Sequence, residues 1–92
     1  MPVNRNSIEG RPITTRQLKA ARALLAWSQA ELAKRSGVSE PTIARLESFD
    51  GELGGREETT RKIQQAIERA GIEFIEENGG GSGVRIRRKL KK

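Results

Sequence analysis

Residues 1–12 lack any apolar repeat and crowd Pro2, Asn4, Asn6, Ser7, Gly10 and Pro12 together, so the chain is expected to begin with a mobile arm. Helical spacing starts next. Leu18, Ala21 and Leu25 recur at intervals of three and four, Leu24 widens the stripe, and Ala20, Ala21, Ala23 and Ala26 favour helix. Thr14 with Gln17 has the form of a capping box, flanked by Ile13 and Leu18 as a hydrophobic staple, which predicts a first helix over 15–26. The same start signal then recurs. Ser28 with Glu31, stapled by Trp27 and Leu32, opens a second helix over Gln29–Ser36 that Gly37 ends. Ser39 caps a third over 40–48, with Val38 and Ile43 as staple, and Pro41 is tolerated in a first turn whose N–H groups have no internal acceptor. Two short, separately capped helices around a glycine turn have the form of a helix-turn-helix.

A glycine-rich loop follows, and Ile63, Ala66, Ile67 and Ala70 then mark the buried stripe of a fourth helix over 57–70, with Glu57 and Glu58 complementing its dipole and Gly71 as its stop. Beyond Gly71 the period changes. Residues 72–77 and 84–88 read as an acidic and a basic strand joined by a glycine-rich turn, and antiparallel pairing sets opposite charges across from each other. A lone two-stranded hairpin is marginal in water, so this pair must pack on the helices or join a partner's strands, and 72–88 is expected to be a dimerisation element. The fold class is therefore mainly α, a helical bundle followed by a two-stranded β segment.

Composition narrows the function. With no Cys and no His, zinc fingers, disulfides, thiol nucleophiles and the usual acid-base catalyst are excluded, and no cofactor or metal is expected. Trp27, Phe49 and Phe74 are the only aromatics and read as core anchors, unlike the exposed platforms of base-stacking proteins. No apolar run approaches the length of a membrane span, and the expected location is the cytoplasm. The net charge of +6 resides entirely at the C-terminus, since residues 1–84 hold 12 Lys or Arg against 12 Asp or Glu. Net charge is thus a poor argument for binding nucleic acid, and pattern must carry it.

Counted from Gln29 as the first position, Leu32, Ala33, Gly37, Val38, Ile43 and Leu46 stand where two helices that nearly touch need a small residue, a turn glycine and locking apolar side chains. The stretch from Trp27 to Glu47 resembles the Cro and phage-repressor (XRE) family of DNA-binding domains, and the resemblance extends from Thr15 to Ala70. It implies a lambda-repressor-like bundle whose third helix enters the major groove of double-stranded DNA, acting as a homodimer on a palindromic operator. The chain departs from the family in its glycine-rich loop and in the strands that replace a fifth helix.

By that resemblance Gln29 contacts phosphate. Ser39, Glu40, Pro41, Thr42, Ala44, Arg45 and Ser48 form the DNA-facing set, and Arg22 pairs internally with Glu47. Arg45 is the expected base reader, because a guanidinium can bind guanine O6 and N7 together, and Pro41 and Ala44 offer apolar surface to a thymine methyl. Glu40 suits a cytosine amine and equally a helix N-terminus, and Thr42 a phosphate. In the tail, Arg85, Arg87, Arg88 and Lys89 are candidate phosphate contacts, with Arg85 and Arg87 alternatively pairing to Glu73 and Glu77, and 89–92 is a basic tail. The resulting expectation is a non-enzymatic regulator, a repressor or autoregulatory controller. The alternatives are an antitoxin holding a protein partner and an adaptor that uses the same fold without reading DNA.

Overall fold

A computed structural model describes residues 12–87. The order is α1 (Thr15–Leu25), α2 (Gln29–Ser36), α3 (Glu40–Glu47), α4 (Glu57–Arg69), β1 (Ile72–Ile75) and β2 (Gly83–Ile86). The expected arm lies outside the described residues apart from exposed Pro12, and so do Arg88, Lys89 and the rest of the basic tail.

The capping box of α1 forms in both directions, Thr14 Oγ1 accepting from the Gln17 amide at 3.0 Å and Gln17 Oε1 from the Thr14 amide at 2.9 Å. Gln17 also reaches across the molecule, its Nε2 donating to the carbonyls of Ile75 and Gly83. The first turn of α1 is thereby tied to the end of the hairpin. The helix stops one residue short of expectation because Ala26 turns left-handed at φ 57° and its amide returns to the carbonyls of Arg22 and Ala23. For a residue with a Cβ that conformation costs roughly 1–2 kcal/mol. Leu24 does not widen the buried stripe but is 43% exposed, since it lies about 100° round the helix from Leu25.

Ser28 caps α2 by accepting from the Glu31 amide, yet only half of the expected box exists: the Glu31 carboxylate takes Arg35 Nε at 2.6 Å instead. Ser39 caps α3 through the Thr42 amide, and Ser48 ends it from the cap position with its hydroxyl on the Arg45 carbonyl. In α4, Ile63, Ala66 and Ile67 are buried as predicted. Ala70, expected in the same stripe, is the exposed C-cap, where the helix is already unwinding into Gly71.

Phe49 overturns its reading as a core anchor, being 64% exposed. After α3 the chain is laid against the segment before α1, with Thr15 N donating to Gly51 O and Leu53 N to Ile13 O, and the side chain that enters the core there is Leu53. Phe74 is buried as expected, and Trp27 is half-buried against the core with the Arg35 guanidinium 5.0 Å above its ring.

The strands pair antiparallel within one chain, Ile72 opposite Ile86, Glu73 opposite Arg85, Phe74 opposite Val84 and Ile75 opposite Gly83. Both are shorter than predicted. Past Ile75 the connection coils on itself, as Glu77 Oε2 accepts from the amides of Gly79 and Gly81. Ile72 and Phe74 drive the hairpin onto α4, β2 lies beside α1, and one core joins the four helices to β1. Among the described residues no helix is long and apolar enough to cross a membrane.

Candidate nucleic-acid interface

The glycine turn between α2 and α3 requires its residue: Gly37 sits at φ 79°, and its amide closes α2 on the Ala33 carbonyl. Leu32, Val38, Ile43 and Leu46 are buried around this turn, with Ala33 packed against them, so the spacing read from the sequence is the spacing of the contact between helices. Locking those residues inward turns the other side of α3 outward. Glu40, Pro41, Ala44, Arg45 and Ser48 are all exposed, and 41, 44, 45 and 48 follow the helical repeat as one stripe. Ser39 is exposed as well and Thr42 half-buried, with their hydroxyls joined at 2.8 Å.

Behind this face, Arg22 and Glu47 meet as expected. Arg22 Nε donates to Glu47 Oε2 and Nη2 to Oε1, each at 2.8 Å, while Nη1 donates to the Trp27 carbonyl at 2.9 Å. Burial alone works against the charged carboxyl of Glu47, but hydrogen bonds from Arg22 and Gln29 outweigh it and hold the group below its usual range. The Glu47 hydrogen bond correspondingly raises Arg22 further. The fork ties α1, the α1–α2 turn and the last turn of α3 into one unit.

Gln29 joins that unit, its Nε2 donating to Glu47 Oε1 at 2.8 Å. The resemblance placed this amide on a phosphate. In the free chain one of its two N–H groups is committed inward, and the residue stays half-exposed at the start of α2.

The base-facing stripe is electrically mixed, with Glu40 and Arg45 on one short helix. Arg45 borders an open cleft of about 510 Å³ that it shares with Thr42, Gly55, Arg56 and Thr59. Sequence reasoning passed over Arg56 and Thr59. The available signal was an arginine in the N-cap position of α4, where no side chain closes the helix, so that a second guanidinium lines the same cleft as Arg45. The tail is less concentrated. Arg85 pairs with Glu73 at 3.0 Å, as its structural reading required, whereas exposed Arg87 is opposite Gly71 rather than an acid, its amide on the Gly71 carbonyl. Arg88 and Lys89 lie outside the described residues.

Residues 18–48 match the family model HTH_3, described as helix-turn-helix. Over these residues, about a third of the chain, the protein is similar to helix-turn-helix units of the XRE type. The match begins at Leu18 in the first turn of α1, takes in the Arg22–Glu47 ion pair and all of α2 and α3, and supports a DNA-binding regulator. No curated protein matches the chain.

Proposed function

We propose that the protein is a sequence-specific regulator of transcription, a repressor or autoregulatory controller, that binds double-stranded DNA through α3. The observation that carries this reading is the exposed stripe of Pro41, Ala44, Arg45 and Ser48 on a helix fixed from behind by Glu47. Such a face fits the major groove, where Arg45 can engage guanine and the apolar pair a thymine methyl. Gln29, and Arg56 across the cleft from Arg45, suit the flanking phosphates.

One unit offers few net positive charges, so the reading includes two copies on a palindromic operator, with the basic C-terminal residues adding salt-dependent affinity. No catalytic role enters it, and it places the protein inside the cell. Selection of bound sequences from random DNA, followed by mass determination of the complex, tests it. A palindromic consensus bound by two chains is the expected result, and Arg45→Ala should relax preference at one base pair of each half-site. Retention of every chain by random DNA alike, without enrichment, would refute specific recognition.

A further inference from the structure

Among the described residues the hairpin has a free edge. Because the Arg87 amide donates to the Gly71 carbonyl, the alternation of an antiparallel ladder turns the N–H and C=O groups of Arg85 toward β1 and those of Val84 and Ile86 away from it. Among the described residues no backbone group outside the hairpin bonds the outward groups of Val84 and Ile86, and the Ile86 side chain is 57% exposed. Arg85 and Arg87 alternate with them on the opposite face, both exposed.

We propose that this outer edge of β2 takes up an extended, acidic segment of a partner protein as a third strand, a carboxylate opposite Arg87 and its apolar side chains against Val84 and Ile86. Main-chain bonding supplies the affinity and the charge pattern the selectivity. A second copy of the chain fits poorly. Antiparallel pairing of Val84 with Ile86 of a second copy sets Arg85 across from its own counterpart, and centring the pair on Ile86 sets Arg85 across from Arg87, and like charges directly opposite destabilise a sheet. A DNA backbone fits poorly as well. The edge presents carbonyls as well as amides, a phosphate can only accept, and the Arg85 charge is already matched by Glu73. The proposal does not involve α3, since β2 packs beside α1 and β1 on α4.

The test uses the full chain, a short capped peptide in which glutamate alternates with valine, its lysine counterpart, and a glutamate peptide N-methylated on the pairing edge. Binding is followed by anisotropy and by the amide resonances of Val84 and Ile86. The expected result is binding of the glutamate peptide with shift and exchange protection at those two amides, weakened at least about tenfold by N-methylation. Arg87→Glu, at an exposed side chain with no acid across from it, should reverse the preference toward lysine. Ile86→Pro, which removes an outward N–H and no ladder bond, should abolish binding while the melting temperature reports an intact fold. Equal binding of the two peptides, insensitivity to N-methylation, protection of Val84 and Ile86 by self-association alone, or shifts at those amides with duplex DNA and not with peptide would each overturn the proposal.

Discussion

At the junction of α1 and α3 a guanidinium and a carboxylate meet with side-chain exposures of 20% for Arg22 and 3% for Glu47, whereas in the hairpin Arg85 and Glu73 meet at 64% and 30%. The chemistry is the same and the surroundings are opposite. Glu47 has both oxygens engaged, by two nitrogens of Arg22 and one of Gln29, and removing either Arg22 or Glu47 leaves the other charge unpaired in a site with little water. Arg85 and Glu73 remain in contact with solvent, which supplies what either loses. An ion pair in the helix-turn-helix therefore sets the orientation of α3, while one in the hairpin only biases the register of two strands. The region that presents Arg45 is held from behind, and the region that carries the tail is held mainly by Ile72 and Phe74.

The largest effect expected from this contrast is that of Glu47→Ala, which leaves Arg22 without its carboxylate and should lower stability by about 3–5 kcal/mol in thermal or denaturant unfolding. Wild-type stability in that variant would break the comparison. Arg45→Ala touches nothing behind α3, so it should leave the melting temperature unchanged and cost roughly 1–3 kcal/mol of discrimination at one base pair, read by competition between DNA sequences. Arg85→Ala is the hairpin counterpart of Glu47→Ala and should cost at most about 1 kcal/mol of stability, and less in high salt. A loss as large as that of Glu47→Ala would show that exposure does not separate the two pairs.

Acid sharpens the same contrast. The Glu47 carboxyl titrates below its ordinary range in the folded chain, so the unfolded chain takes up a proton first as the pH falls. Its contribution is complete above the ordinary glutamate range and is lost as the pH drops through the lowered folded value. Glu47→Gln should accordingly be less stable than the wild type at neutral pH, and the gap should close as the pH falls through and below the ordinary glutamate range in an unfolding series. A gap that persists at the acid end would mean that shape, and not charge, is what the site requires.

Much of this was legible beforehand. The cap of each of the first three helices, the bounds of α2 and the turn glycine follow from local signals whose spacing geometry dictates, the Arg22–Glu47 pair follows from the family resemblance alone, and the structure contains each of them. The errors share a physical cause. Phe49 and Leu24 were assigned inward because they are apolar, but the neighbouring Leu53 and Ala21 occupy the core there. The inward bond of Gln29 escapes the sequence because its partner Glu47 lies on α3, 18 residues away, which no periodicity reveals. Arg56 was overlooked because its proximity to Arg45 exists only once α4 is docked.

The sequence by itself determined where helices start and stop, which residues face inward from α2 and α3, and that an acidic strand would meet a basic one, because these depend on neighbours three or four positions away or on matching of period and charge. Only the tertiary structure decided that Gln17 ties the first helix to the hairpin, that Gln29 and Arg22 share one buried carboxylate, and that the outer edge of β2 is left open by the described residues. Those outcomes depend on how elements far apart in the chain pack together, and a hydrogen bond across that distance leaves no repeat in the sequence.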